Sequence, residues 1–212
     1  MSTTVYMKLL EQTPEKYDRG MRFITLGRID DIKTLIAQSS VKAGSRVLEI
    51  GCGTGRLAAL MSQRGCEVFG IDVSQAMLSE ARKNAPEAHI AHMTATQIDE
   101  LEAGRFDHIV STLVFSELSE TELDFVLRES KKLLKVGGTL IVADEMVPTS
   151  WGKRLGYYLV RWPLAALTFL LTQNTTHALR RFDQRLEQAG FRIKASRSYL
   201  WGSLCLIEAE VV

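Results

Sequence analysis

The chain has 212 residues, of which 46% are hydrophobic and 24% are charged. This length allows one domain to bury a substantial core, and the composition excludes disordered, collagen-like and disulfide-stapled chains. The 26 basic and 25 acidic side chains give a formal net charge of +1, so no overall field draws the protein onto nucleic acid. We therefore predict a single globular domain over residues 1–212 that has no nucleic-acid partner.

Cysteines, histidines and the N-terminus indicate the compartment and the metal content. Cys52, Cys66 and Cys205 are odd in number and lack the CxxC spacing of a zinc or redox site. The four histidines show no close spacing with a second pair of ligands. Residues 1–10 contain one lysine and no long apolar run, which is not typical of a secretion signal. The sequence favours a cytoplasmic protein without a bound metal.

Residues 1–44 are expected to form an N-terminal helical cap, after which short apolar runs alternate with segments of helical period. Strands are predicted at Arg46–Ile50, Glu67–Ile71, His89–Met93, Phe106–Ser111, Thr139–Ala143, Phe191–Tyr199 and Ser203–Glu210. Helices are predicted at Arg56–Arg64, Ser74–Lys83 and Glu120–Leu134, the last closed by Gly137-Gly138. Alternating strands and helices predict an α/β fold with a parallel sheet covered on both faces. The last two strands are too close in sequence for a parallel crossover, so they are expected to form an antiparallel hairpin.

The first predicted strand leads into a glycine-rich loop. The run VLEIGCGTGRL covers residues 47–57, so that Gly51, Gly53 and Gly55 lie between the strand and a helix. Glycines let backbone N–H groups approach a ligand closely, and the N-terminus of the following helix favours a carboxylate or phosphate. A tight strand-to-helix turn without any ligand is the alternative.

Acidic residues around this loop favour a nucleoside cofactor. Asp72 ends the second strand about 20 residues after the loop, where a carboxylate accepts both hydroxyls of a ribose. A helix-capping role is the alternative for Asp72, but Ser74 is the better placed cap. Glu49 precedes the first glycine by two positions, where it meets the amino group of an amino-acid cofactor and repels a pyrophosphate. Arg56 replaces the third glycine of the dinucleotide-binding pattern and argues against an NAD(P)-dependent oxidoreductase.

These motifs resemble those of class I S-adenosylmethionine-dependent methyltransferases. VLEIGCGTG and GIDVS are similar to the family's first motif and its successor, and EKYD, FDHIVSTLVFSEL and LLKVGGTLIVAD follow the family order. The resemblance extends from about Tyr17 to the C-terminus. It implies a Rossmann-like fold with a seven-stranded, mostly parallel sheet, an antiparallel last strand and helices on both faces. It also implies S-adenosyl-L-methionine as cofactor and S-adenosyl-L-homocysteine as product.

The resemblance further implies a set of cofactor-binding residues. The glycine loop and Glu49 line the methionine half, Asp72 binds the ribose, and Tyr17 and Arg22 close over the cofactor unless they are ordinary surface residues. The family's usual acidic residue after the third strand is absent, so Thr94 or a backbone carbonyl is expected to accept from the adenine amine. The full set comprises Tyr17, Arg22, Glu49, Gly51, Cys52, Gly53, Gly55, Asp72, Val73, Met77, Thr94, Ala95, Ser111 and Thr112.

Candidate catalytic residues follow the fourth and fifth strands. By the resemblance, Ser111, Thr112, Phe115 and Glu117 face the transferred methyl group. Glu117 is expected to act as a general base or to hold a cationic substrate, and its alternative is to favour the N-terminus of the next helix. Glu145, beside Asp144, lies at the carboxyl edge where parallel sheets bind ligands. We take Glu117 and Glu145 as the catalytic candidates.

Residues 146–182 form an insertion that contains five cations and no Asp or Glu. Arg161 and Pro163 interrupt its apolar centre, so a membrane-spanning helix is not expected. The amphipathic stretch 151–172 is predicted to be either a substrate lid or a contact with an anionic membrane, which would place the protein at the inner membrane surface. Both interpretations imply a hydrophobic pocket, as in the methyltransferases of quinone and lipid biosynthesis, which the chain loosely resembles.

The sequence therefore predicts transfer of a methyl group to a hydrophobic small-molecule or lipid-like acceptor. The Asn/Asp-Pro-Pro-Tyr/Phe and Pro-Cys signatures of nucleic-acid base methylation are absent. A non-catalytic cofactor-binding or membrane-peripheral protein remains an alternative, since it would keep the same loop.

Overall fold

The computed structural model describes residues 14–102, 105–147 and 178–212. The predicted lid or membrane contact at 151–172 lies outside the described residues. None of the helices in the described part of the chain has the length and apolar character needed to span a bilayer.

Within the described residues, two helices precede the sheet, and strands then alternate with helices. The first helices are α1 (Pro14–Ile24) and α2 (Arg28–Leu35), and α2 continues into one π-helical turn at Ile36–Ser40. The central elements are β1 (Arg46–Ile50), α3 (Arg56–Ser62), β2 (Glu67–Asp72), α4 (Gln75–Asn84), β3 (His89–His92) and β4 (Phe106–Thr112). The remaining elements are α5 (Glu120–Leu133), β5 (Leu134–Glu145), α6 (Phe182–Gln188), β6 (Phe191–Tyr199) and β7 (Leu204–Val211). Short 3-10 turns lie at Ala95–Glu100, Phe115–Glu117 and Leu200–Gly202.

The seven strands form one sheet in the order β3-β2-β1-β4-β5-β7-β6. The first five strands pair in parallel, and β7 runs antiparallel to both β5 and β6. The predicted α/β fold, its seven strands and its C-terminal hairpin are confirmed. The division into a helical cap and an insertion stays a prediction.

The predicted helix stop at Gly137-Gly138 is wrong. Helix α5 ends at Leu133, and Leu134 already has extended backbone and pairs with Phe106 of β4. The next pair in the register is His108 with Thr139, so a bulge in β5 takes up the residues between. The glycine pair therefore belongs to an irregular strand entry, because pairing with β4 ends the helix earlier.

Core side chains alternate between the two faces of the sheet. Leu48 of β1 packs in a cluster with α5 and α6, whereas Val47 packs in a second cluster with α2 and α3. Glu49 lies on the same face as Val47, since side chains two apart on a strand share a face. This alternation places the acidic side chain of Glu49 inside a largely apolar layer.

Candidate functional site

The predicted site residues gather where the sheet changes direction. Strand β1 has β2 on one side and β4 on the other, and the chain leaves all three strands at the same edge. In open α/β sheets the crevice outside such a point is the usual ligand site. The glycine loop, Asp72 and the segment after Thr112 share this edge.

Asp72 fastens the glycine loop to the end of β2. Its Oδ2 accepts the backbone N–H of Gly53 at 2.8 Å, and its Oδ1 accepts that of Ser74 at 2.9 Å. Burial raises the pKa of Asp72, while the N–H groups of Ser74, Gly53 and Val73 lower it. Ser74 caps α4 through Met77 N–H, as predicted, which leaves Asp72 free of that task. A carboxylate has about four lone-pair positions, so Asp72 keeps acceptor capacity for hydroxyl groups.

Two loop glycines provide a matched test of the local packing. Both have left-handed backbone, with φ 52° at Gly53 and 76° at Gly55. A Cβ at Gly53 would meet nothing within 4 Å, whereas one at Gly55 would lie 2.8 Å from Ala81 Cα. We expect Gly53→Ala to lower the free energy of unfolding by about 1 kcal/mol and Gly55→Ala by about 3 kcal/mol or more, measured by urea denaturation. Equal losses would contradict the close contact between the loop and α4.

Glu49 is a buried carboxylate without full compensation. Only 1% of its surface is exposed, and its Oε2 has no hydrogen-bond partner within the described residues. Its pKa is raised to about 8, chiefly by burial and in smaller part by the charge of Asp72, although Lys33 and a hydrogen bond from the backbone N–H of Ala58 lower it. A buried oxygen of this kind is costly unless a ligand supplies a donor or a cation.

Cys52, unlike the loop glycines, contributes a buried side chain that packs against α4. Its side chain is buried in a small cluster with Leu78 and Ala81 of α4, and its N–H donates to Ile71 O at 2.9 Å. Burial strongly raises the pKa of the thiol, which keeps it in the neutral form. The sulfur thus packs the loop against α4 rather than facing the sheet edge.

The residues expected to surround an adenine lie around the ends of β2 and β3. Val73 is 54% exposed, Met77 is buried, and the Val73 carbonyl is 2.9 Å from His92 Nε2. Thr94 forms a capping box with Gln97, in which the Thr94 N–H donates to Gln97 Oε1 at 3.0 Å. Since this box engages the Thr94 hydroxyl, the backbone near Ala95 is the simpler partner for an adenine amine.

Helix α1 contacts the glycine loop through a residue that the sequence did not single out. Thr54 Oγ1 donates to the carboxylate of Asp18, with Oδ2 at 3.0 Å, and the Thr54 carbonyl accepts from Asn84 Nδ2 at 2.9 Å. Asp18 belongs to the EKYD run, but nothing local indicated a partner 36 residues away. Tyr17 is half-buried on the same helix. Arg22 pairs with Asp30, its Nε lying 2.7 Å from Oδ2, and its side chain is largely exposed.

The end of β4 is buried and its exit is strained. Ser111 and Thr112 are both buried, and within the described part of the chain Ser111 Oγ has no hydrogen-bond partner. Leu113 follows with φ 61°, a left-handed conformation that costs a branched residue of this kind about 1 kcal/mol or more. Such outliers cluster at functional sites.

The two catalytic candidates differ in their surroundings. Glu117 is exposed in the 3-10 turn after β4, and Glu145 is half-buried at the end of β5, opposite Leu204 of β7. Glu120 and Glu122 serve the helix that follows, since Glu122 forms the capping box of α5 with Ser119 and Glu120 pairs with Arg185.

Asp144 is a second buried acid near this edge, and its role is left open by the sequence pattern. Its side chain is fully buried and accepts the N–H of Ser116 at 3.1 Å and that of Glu145 at 2.7 Å. Burial raises its pKa to about 6 against these hydrogen bonds. Only its contact with the turn after β4, seen in the folded structure, indicates that Asp144 belongs to the site.

A cavity of about 490 Å³ opens between α3 and the helices before the sheet. Asp18, Lys33, Arg56 and Asn84 are among its lining residues, and none of the strand-end residues expected to bind a cofactor lines it. The residues predicted to bind the cofactor therefore lie at the strand ends, outside the lining of this cavity.

Comparisons with known proteins identify the kind of domain. Residues 47–138 match a family model described as a methyltransferase domain. An uncharacterized methyltransferase of Synechocystis sp. is 29% identical over 174 residues, which cover 81% of this chain and 78% of the relative. A ubiquinone biosynthesis O-methyltransferase of Pseudomonas aeruginosa is 33% identical over 132 residues, but this match covers 60% of this chain and only 56% of the relative.

Among solved structures, the [4+2]-cyclase SpnF shares the fold, with a TM-score of 0.66, 19% identity, and coverage of 86% of this chain and 80% of that protein. At this identity the likeness concerns the fold alone. The matched segment contains the glycine loop and Asp72 at the end of β2. The chain belongs to the class I S-adenosylmethionine-dependent methyltransferase family.

Proposed function

We propose that this chain uses S-adenosylmethionine to methylate a hydrophobic small-molecule or lipid-like acceptor in the cytoplasm. The observation that carries the cofactor half of this proposal is the buried, incompletely partnered carboxylate of Glu49 beside the glycine loop. An α-ammonium group supplies both the positive charge and the donors that Glu49 lacks, whereas a pyrophosphate supplies neither.

The other residues of the site fit the remaining parts of the same cofactor. Asp72 retains acceptor capacity for the two ribose hydroxyls, and exposed Val73 offers an apolar surface for a base. The glycine loop brings backbone close to the ligand without intervening side chains. When bound, S-adenosylmethionine supplies a methyl group already activated by its sulfonium charge. The protein therefore has mainly to align the acceptor and exclude water.

The acceptor side is proposed to lie between the ends of β4 and β5. Ser111 and Thr112 form its buried floor, and Glu117 and Glu145 are placed at its rim to take a proton from an acceptor hydroxyl or amine. The ubiquinone O-methyltransferase relative supports a hydroxyl-bearing aromatic acceptor. The basic and apolar composition of 151–172 supports a greasy acceptor and a contact with anionic lipid at the inner membrane surface.

Calorimetric titration tests the cofactor half of the proposal. We expect the protein to bind S-adenosylmethionine and S-adenosylhomocysteine but not NADH. Asp72→Ala should weaken this binding at least about 100-fold, because it removes charged acceptors from the ribose and releases Gly53. Asp183→Ala, at an exposed position in the first turn of α6, is the control and should bind normally. Binding of NADH, or of neither compound, would refute the proposal.

Transfer of a labelled methyl group tests the acceptor half. Purified protein, labelled S-adenosylmethionine and a series of hydroquinones with increasing side-chain length are incubated with or without anionic vesicles, and organic extracts are counted. We expect label in the extract, increasing with acceptor hydrophobicity. Cofactor binding without transfer to any such acceptor would favour a non-catalytic binding protein or another reaction on the same fold, which also occurs in a cyclase.

A further inference from the structure

The segment that leaves β4 is fastened to β5 at two points. Leu113 N–H donates to the Ala143 carbonyl at 2.9 Å, and Ser116 N–H donates to Asp144 Oδ2 at 3.1 Å. Phe115, between these bonds, is fully buried and meets Phe182 edge-on with ring centroids 6.2 Å apart. The turn is thus held from the β5 side and packed from the α6 side.

Between the two fastened residues, Val114 rests on the glycine loop. A Cβ added to Gly51 would overlap the Val114 side chain, so Val114 is in direct contact with the backbone at Gly51. Leu113 holds its left-handed φ of 61° immediately before Val114. A residue strained in this way keeps its conformation only when its surroundings hold it there. Here the hydrogen bonds to Ala143 and Asp144 are the restraints.

We propose that Asp144 is a positioning residue for the cofactor site, because its carboxylate holds the turn Phe115–Glu117 so that Val114 is pressed against Gly51. This inference rests on the proposed function, in which the glycine loop binds S-adenosylmethionine. Asp144 lies on β5 and touches neither the loop nor Glu49 in the contacts described above. Its effect reaches the cofactor only through the turn and Val114. It also links the end of β5, where Glu145 stands, to the cofactor loop.

The charge of Asp144 suits this task. Its pKa is raised to about 6, chiefly by burial and in small part by the charge of Glu145, although the Ser116 hydroxyl and the N–H groups of Glu145 and Ser116 lower it. At pH 7.5 the carboxylate is therefore ionised, and a hydrogen bond to an ionised acceptor is stronger than one to a neutral acceptor. An Asn at this position would keep an acceptor for Ser116 N–H but lose the charge.

A double-mutant cycle on cofactor affinity tests this coupling at pH 7.5. We expect Asp144→Ala to weaken S-adenosylmethionine binding about tenfold, Asp144→Asn about threefold and Val114→Ala about fivefold. The double variant Asp144→Ala/Val114→Ala should bind about as weakly as Asp144→Ala alone, since both act through one contact. Asp107→Ala is the matched control, because Asp107 accepts the N–H of Arg46 at 2.8 Å at the opposite edge of the sheet. It should lose stability yet bind within about twofold of the unmodified protein.

Amide hydrogen exchange provides a readout independent of the cofactor. In Asp144→Ala, the amides of Leu113 and Ser116 should exchange at least about tenfold faster, while the amides of Asp107→Ala near this turn are unchanged. If Asp144→Ala does not fold, Asp144→Asn carries both measurements. Unchanged affinity in the Asp144 variants, or multiplied effects in the double variant, would overturn the inference while leaving the proposed function intact. Failure of the unmodified protein to bind S-adenosylmethionine would overturn both.

Discussion

Binding of S-adenosylmethionine is expected to release about 0.9 proton per molecule at pH 7, because Glu49 must ionise to pair with the ammonium group. In the free protein, burial raises the pKa of Glu49 to about 8, so at pH 7 most molecules carry the proton. An ammonium in contact with Oε2 stabilises the ionised form and expels that proton. The affinity should therefore rise about tenfold between pH 6 and pH 7.

Calorimetry in buffers of different ionisation enthalpy measures this release directly. The slope of the observed enthalpy against buffer enthalpy gives the number of protons exchanged. Glu49→Gln should bind more weakly and release no proton from this position. Methylthioadenosine, which lacks the amino-acid part, is the ligand control and should bind without proton release. A slope of zero for S-adenosylmethionine with the unmodified protein would mean that Glu49 does not pair with the ammonium as an anion.

Local sequence patterns were sufficient to predict the strands, helices and turns that form the candidate site. The spacing from Glu49 through the glycine loop to Asp72 depends only on a strand, a turn, a helix and a second strand in succession. The prediction that Ser74, and not Asp72, caps the helix is confirmed, because capping depends on residues within one turn. The C-terminal hairpin also followed from a connection too short for a crossover.

The parts that could not be predicted depend on partners distant in sequence. Asp18 meets Thr54 across 36 residues, and Asp144 meets Ser116 across 28. Neither pair has a local signature, since each exists only after the helices and strands have packed. The prediction that the glycine pair ends α5 was wrong for the same reason. The helix ends earlier because Leu134 pairs with β4, a partner distant in sequence.

The degree of burial of the acidic side chains also could not be predicted from the sequence, and burial changes their pKa values. Glu49 was expected to be acidic and close to the cofactor, but not to be almost fully buried with an oxygen lacking a partner in the described structure. Asp144, at the fifth strand, was left with an open role for lack of the same information. In both cases burial in the folded protein raises the pKa of the carboxyl group.

Glu49→Gln is expected to be more stable than the unmodified protein at pH 9 in the absence of cofactor, by up to about 5 kcal/mol. The raised pKa means that the folded state holds the Glu49 proton more tightly than the unfolded state, whose pKa is near 4.5. Stability from this proton is fully present below pH 4.5 and is lost as the pH rises through about 8. Glutamine resembles the protonated acid and does not titrate, so the two proteins should be nearly equally stable at pH 5.

Urea denaturation at pH 5, 7 and 9 measures this difference, and exposed Glu187→Gln on α6 is the control that should follow the unmodified protein at every pH. Saturating S-adenosylmethionine should reduce or reverse the difference at pH 9, since only ionised Glu49 gains a partner from the ligand. A constant difference between the two proteins from pH 5 to pH 9 would show that Glu49 is solvated in the free state. In that case burial of the Glu49 carboxylate would neither destabilise the cofactor-free protein nor explain the proposed preference for a cationic ligand.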